Sequence, residues 1–335
     1  MEIYATLGPS CADEATLLQM FRNGMTGIRL NLSHTSLKES EDSIEMLQAA
    51  AAKAGLAPRL LMDMQGPELR VGRLPAPIWL ENGRKAFLVT RPEKNGILIS
   101  KEVFRSIESG QELLFDDGKL LLKALSVNED RIEARVFRGG VLAGRKSIAL
   151  KGKSVHLPAM TEDDLSNIRE AGRYGVTDVM QPFVRSPEDL QKVRAALCDA
   201  GSPDIRIMAK IENREGVAGI DQLFPAADEI VIARGDLGNA VTLPGLPAVQ
   251  KRLAGKCRKA GKPFMVVTQM LFSMERNPLP SRAEVSDIFN AVLDGASSVM
   301  LTGETASGRY PAEAVRYLAE TVREAERYME EMKAE

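Results

Sequence analysis

Histidine is the scarcest reactive residue in this 335-residue chain, which carries only His34 and His156. Two histidines leave little room for a Ser/His/Asp arrangement, and no G-x-S-x-G nucleophile elbow occurs. Cysteine is nearly as scarce: Cys11, Cys198 and Cys257 lie far apart and share no C-x-x-C spacing. An odd, scattered set reads as free thiols in a reducing compartment and argues against a Cys/His zinc site. No apolar run is long enough to span a bilayer, and no signal segment precedes the strand-like EIYATLG, so the expectation is a cytoplasmic chain. A formal net charge of −2 creates no global basic field, so neither nucleic acid nor an anionic membrane is an expected partner. What remains is ordinary globular material, with 44% apolar and 27% charged residues, enough for one large core or two smaller ones.

Eight apolar runs recur, each ending in polar residues and each followed by an amphipathic helical pattern: EIYATLG, GIRLNLS, RLLMDMQ, VTDVMQPFV, IRIMAKIE, EIVIARGD, PFMVVTQM and SSVMLTGE. One polar residue near each end gives Thr6, Asn31, Asp63, Gln181, Lys210, Asp236, Thr268 and Thr302, spaced by 25, 32, 118, 29, 26, 32 and 34 residues. Six of these seven intervals suit one strand, one helix and two loops. Eight such units predict a closed (β/α)8 barrel of the α/β class. The long interval predicts an insertion after the third strand. Within it, short alternating runs such as KAFLVT, GILIS, KLLLKAL and RIEARVF are separated by turn residues. That reads as a small β-domain without helices over residues 72–149, with the barrel formed by 1–71 and 150–335. Ser281 and Glu284 form an S-x-x-E capping box, and Pro311 opens the last helix.

In a barrel of this kind the C-terminal strand ends and the loops beyond them converge on one site. They supply Arg29, Asn31 and Ser33, then Asp63, Glu68 and Arg70, then Lys210 and Glu212. Arg234, Gly235 and Asp236 follow from the sixth strand, with Thr268, Thr302 and Glu304 from the last two. Lys210 and Glu212 are two residues apart on a buried strand, so they face the same way, and two charges there need a partner or a ligand. Glu212 and Asp236 on neighbouring strands suit Mg²⁺ held by two carboxylates, with Lys210 free to neutralise a phosphoryl group or an enolate. Each residue alone also has a structural reading. Arg29 with Asp63 makes an internal ion pair, Gly235 and Gly238 serve a turn, and Met208, Met265 and Met300 fill core space. The stretch GGVLAGRKS resembles a phosphate-cradling loop, but Arg145 holds the lysine position and SIALKG does not continue as a helix.

ATLGPS, IRLNLSH, GPELR, FDDG, AKIENREG, IARGDLG, GKPFMVVTQML, PSRAEVSD and MLTGETASGRYP occur in this order across nearly the whole chain, which thereby resembles pyruvate kinase. The resemblance implies a barrel with an inserted β-domain lid and transfer of the phosphoryl group of phosphoenolpyruvate to ADP, giving pyruvate and ATP. It places Lys210 at the transferring phosphoryl and the enolate, and Thr268, Thr302 and Glu304 in substrate contact and proton delivery. Arg29 meets the substrate phosphate, and the amides of Gly235 and Asp236 meet its carboxylate. Glu212 and Asp236 hold Mg²⁺ (or Mn²⁺), while Asn31, Ser33, Asp63 and the Met64 carbonyl hold K⁺. His34, Arg70 and Lys146 fall near the nucleotide, and Glu68 is the residue expected of a K⁺-using member.

There are departures. Met64 and Gln65 stand where D-T-K-G-P-E of the family has threonine and lysine, and SIALKGKSV replaces its V-N-L-P-G. The chain stops after the eighth helix, so the expectation is a monomer or homodimer without the family's C-terminal effector domain. Two other readings stay open: a Mg²⁺-dependent lyase or aldolase on pyruvate or phosphoenolpyruvate, and a non-catalytic metabolite-binding relative.

Overall fold

The computed structural model describes residues 1–334 apart from His34, Asp117, Ser154 and His156. Eight parallel strands close into a barrel in chain order: Glu2–Thr6, Gly27–Asn31, Arg59–Asp63, Asp178–Gln181, Arg206–Ile211, Glu229–Ala233, Phe264–Val267 and Ser298–Met300. The first strand pairs with both the second and the last, which is what closes the ring. All eight predicted runs are strands of this barrel. Helices cover their outer faces, so both sides of each strand are buried and the runs read as nearly continuous apolar sequence. The chain divides into a larger unit, Met1–Gly66, Ala159–Leu237 and Pro244–Glu335, and a smaller one, Pro67–Pro158 with Gly238–Leu243.

Strand alternation sorts the barrel interior into three levels. The middle level is apolar: Tyr4, Leu61, Met180, Met208, Val231, Met265 and Met300 belong to one buried cluster. The methionines are thus core filler, their unbranched side chains suited to an irregular interior. Gly27 is what admits the Tyr4 ring, since a Cβ there would lie 2.6 Å from Tyr4 Cε1 and 3.0 Å from Arg59 Cβ. Gly27→Ala is therefore expected to cost about 1–3 kcal/mol of stability through overpacking, measured by urea denaturation. A mutant as stable as the parent would show that the ring has room to move.

Below lies an ionic level at the N-terminal ends of the strands. Arg59 meets Glu2 at 2.6 Å and Asp178 at 3.6 Å, and Arg206 meets Asp178 at 3.1 Å and Glu229 at 2.9 Å. Tyr4 donates to Glu2, while Ser297 and Ser298 both donate to Glu229. Asp178 and Glu229 are fully buried, and burial pushes both carboxyl groups above their ordinary range despite the arginines. Above the apolar level, the strand ends again carry charge, and there the candidate site lies.

The predicted capping box at Ser281 and Glu284 is present, and a second one joins Thr161 to Asp164. The last helix runs Pro311–Ala334. All three cysteines are free, and burial pushes the thiols of Cys11 and Cys257 up to about 11 and about 12. Among the described residues no helix is long and apolar enough to cross a membrane.

The smaller unit has a six-stranded sheet and a two-stranded ribbon, Ile78–Leu80 with Gly140–Leu142. Leu88, Ile97, Leu113, Phe115, Leu122 and Ile132 are at the centre of its own core. It also has a helix, Lys101–Ser106, which the reading of a purely β insertion missed. Ser100 starts it by accepting a hydrogen bond from the Val103 amide, a local cap inside a sequence otherwise dominated by alternation. Ile148–Leu150 is a strand, so the segment after GGVLAGRKS has no phosphate-cradling helix.

Candidate active site

Four charged side chains meet at the C-terminal end of the barrel. Arg29, from the second strand, binds the Asp63 carboxylate of the third through Nε at 2.8 Å and Nη2 at 2.6 Å. Lys210 Nζ lies 3.5 Å from the same Asp63 oxygen and 3.0 Å from Glu212 Oε1. Lys210 and Glu212 do share a face, as alternation required, and what they meet is each other and Asp63. Asp63 and Glu212 are almost wholly buried, and the Lys210 side chain is only 15% exposed. Two cations and two carboxylates tolerate such burial only as a set, because desolvating any one of them alone costs several kcal/mol. Burial lowers the Lys210 pKa, but the nearby charges of Asp63 and Glu212 outweigh it and hold the ammonium well above its ordinary value. Lys210 is a fixed cation at any physiological pH.

The set is held from outside as well. The Phe183 amide donates to Glu212 Oε2 at 2.9 Å, from a residue with φ of 52°, in the left-handed region that non-glycine residues rarely adopt. Arg29 also donates to Thr6 Oγ1 at 3.2 Å. Asp63 Oδ1 is buried with no hydrogen-bond partner among the described residues. Beside it, Asn31 Oδ1 accepts from the Ser33 amide at 3.2 Å, and the Met64 amide donates to the Met180 carbonyl, fixing the strand end. The next two amides, of Gln65 and Gly66, donate to the two oxygens of Asp164 at 2.7 and 2.9 Å. The cap of one helix therefore anchors the loop that follows the third strand. Gly66 adopts φ of 57° and packs on Pro182, where a Cβ would come within 2.3 Å, so no other residue fits.

Gly235 and Asp236 open the short helix Arg234–Ala240 directly after the sixth strand. Arg234 donates to the Thr268 carbonyl from Nε at 3.0 Å and Nη2 at 2.7 Å, and to Asp287 Oδ2 at 2.6 Å. Glu304 is buried and accepts from the amides of Leu271 and Thr302 and from the Thr302 hydroxyl, at 3.1, 2.7 and 3.2 Å. It thus ties the loops after the last two strands together. Glu275 lies against Gly303, and its carboxyl is raised first by burial and then by the charge of Glu304.

Arg29, Asp63, Lys210 and Glu212 are thus joined through direct contacts, and Thr302 and Glu304 through their own. Arg70 and Lys146 belong to the smaller unit. Arg70 is paired with Glu68 and donates to the Arg145 carbonyl, and Lys146 sits 2.8 Å from Asp116. His34 lies outside the described residues. Sequence reasoning missed Phe183, Asp164 and Glu275. Phe183 acts through its own amide, and Asp164 accepts from the amides of Gln65 and Gly66. Glu275 ends the one-turn 3-10 helix Phe272–Glu275, too short to show a periodic pattern, so only the Thr161/Asp164 capping spacing was available as a signal.

A family model described as "Pyruvate kinase, barrel domain" matches residues 1–315. A relative named pyruvate kinase from Chlamydia pneumoniae is 38% identical over 97% of this chain and 68% of its own length. Relatives of the same name from Geobacillus stearothermophilus and Aeropyrum pernix are each 37% identical, over 98% and 95% of this chain. The chain spans 57% of the first of these two and 69% of the second.

Proposed function

The chain belongs to the pyruvate kinase family, and from that premise we propose that it transfers the phosphoryl group of phosphoenolpyruvate to ADP. The observation that carries this reading is the Lys210 ammonium fixed between two buried carboxylates at the C-terminal end of the barrel strands. Phosphoryl transfer needs positioning and charge neutralisation more than a covalent nucleophile, and this set offers both. The bond from phosphorus to the enol oxygen breaks as one forms to a terminal oxygen of ADP. Lys210 holds its positive charge beside the moving phosphoryl group and the enolate oxygen it leaves behind. Arg29 takes the substrate phosphate, and the amides of Gly235 and Asp236 take its carboxylate. Thr268 stands by the enolate, and the Thr302–Glu304 pair governs delivery, through water, of the proton that the methylene carbon accepts. Arg70, Lys146 and His34 are the proposed contacts to the nucleotide.

Glu212 and Asp236 fit Mg²⁺ or Mn²⁺ by donor chemistry, as hard carboxylate oxygens just past the ends of neighbouring strands, Asp236 in the helix Arg234–Ala240. When bound, such an ion supplies further neutralisation of phosphate charge. The unpartnered Asp63 Oδ1 fits a monovalent cation, with Asn31, Ser33 and the Met64 carbonyl completing the oxygen donors for K⁺.

Purified chain with phosphoenolpyruvate, ADP, Mg²⁺ and K⁺ is expected to form pyruvate and ATP in equal amounts. Omitting the divalent ion should reduce the rate to background, and replacing K⁺ by a bulky organic cation should slow it. Folded protein that yields neither product, or pyruvate without ATP, overturns the reading.

A further inference from the structure

Thr268 and Gln269 follow the seventh strand with φ of 82° and 56°, so both backbones are in the left-handed region. For a β-branched residue that conformation is a true outlier, and it persists only where surrounding contacts enforce it. The hydrogen bonds to this turn come from one side chain among those described. The Arg234 guanidinium grips the Thr268 carbonyl with Nε and Nη2, while Nη1 is pinned by Asp287 on the helix Arg282–Leu293. Nη2 also touches the Met270 sulfur at 3.0 Å. The planar fork thereby spans the Thr268–Gln269 turn, and its own orientation is fixed from a third element. The Arg234 side chain is only 12% exposed, so these charge-assisted bonds are little diluted by water.

We propose that Arg234 is a positioning residue for Thr268: it holds the 268–269 backbone left-handed and so sets where the Thr268 side chain stands at the reacting centre. The inference rests on the proposed phosphoryl transfer and assigns Arg234 no contact with substrate. Without the fork, the turn relaxes toward negative φ and the threonine side chain swings from its place. A displacement of about 1 Å near reacting atoms costs on the order of 100-fold in rate.

Arg234→Met is accordingly expected to lower kcat about 30- to 100-fold, with KM for phosphoenolpyruvate changed less than about threefold. Arg234→Lys should fall between, because an ammonium donates but lacks the planar fork. Adding Gln269→Gly to Arg234→Met should restore about fivefold or more of kcat, since glycine accepts positive φ without penalty. Asp287→Asn leaves the grip on the carbonyl in place and should cost less than about fivefold. If Asp287→Asn matches Arg234→Met in rate and in thermal stability, and Gln269→Gly restores nothing, Arg234 serves only an ion pair and the proposal is overturned. A crystal structure of Arg234→Met decides the matter independently of any turnover: Thr268 still left-handed overturns the clamp, and Thr268 at negative φ supports it. An inactive parent enzyme would sink the proposed activity and leave this structural outcome readable.

Discussion

Lys210→Met is expected to cut turnover of phosphoenolpyruvate and ADP by about 10³- to 10⁵-fold, the range seen when one transition-state cation is removed from a phosphoryl-transfer site. At 1.36 kcal/mol per decade this is about 4–7 kcal/mol of lost barrier lowering. The ammonium is held 3.0 Å from Glu212 and 3.5 Å from Asp63, and its pKa is raised by those charges against the effect of burial. Lys210 therefore remains protonated throughout the neutral range and acts as a fixed charge, so it contributes no limb to a pH–rate profile. The same substitution leaves two buried carboxylates short of a partner and should cost about 3–5 kcal/mol of stability. Rates must be taken on the folded fraction, measured by urea denaturation under assay conditions. A folded Lys210→Met enzyme with more than about a tenth of parental turnover removes Lys210 from the chemistry.

At the opposite end of the barrel the expected loss is of stability alone. Arg206→Met strips the guanidinium from Asp178 and Glu229, both fully buried, and should destabilise the chain by about 3–5 kcal/mol at neutral pH. The direction with pH follows from the raised carboxyl groups. A carboxyl whose folded pKa exceeds its unfolded value favours folding below the unfolded pKa, and that contribution is lost as pH rises through the folded value. Removing Arg206 pushes both folded values higher, because burial already dominates them and one counter-charge is gone. The deficit of the mutant against the parent should therefore shrink as the buffer is acidified from about pH 7 to about pH 5. Equal deficits at both ends of that interval would mean that water, and not Arg206, carries the carboxylate charge. Turnover per folded molecule should stay close to the parent, since no part of the upper set touches this level.

The barrel was legible because its repeat is physical: each buried strand is short and apolar, and each ends where charge returns. Six intervals of 25 to 34 residues, interrupted once by the 118-residue insertion, were enough to place all eight strands. The upper charged set was legible for the same reason, since Asp63, Lys210 and Glu212 stand where an apolar run stops and Arg29 interrupts one two residues before its strand ends. The lower ionic level went unread, although Glu2, Arg59, Asp178, Arg206 and Glu229 begin their strands. Extending the two-residue alternation back from Lys210 through Met208 to Arg206 would have found it. Arg234 was picked out as a strand-end charge, but its grip on a carbonyl was not, because nothing in a side-chain pattern announces a backbone partner. The same holds for Phe183, whose amide steadies Glu212 while its own side chain says nothing of it. Helix Lys101–Ser106 was hidden by its length, six residues amid alternating strands.

The single tryptophan, Trp79, sits on the small two-stranded ribbon and is 70% exposed, across from Val141. The five tyrosines, Tyr4, Tyr174, Tyr310, Tyr317 and Tyr328, all belong to the larger unit. Nature has thus placed an optical label on one part of the molecule and left the other dark to indole excitation. Emission excited beyond the tyrosine band reports the inserted part alone, while far-ultraviolet dichroism is dominated by the helices around the barrel. Melting followed by the two signals side by side distinguishes a molecule that comes apart in one event from one that loses its parts in turn.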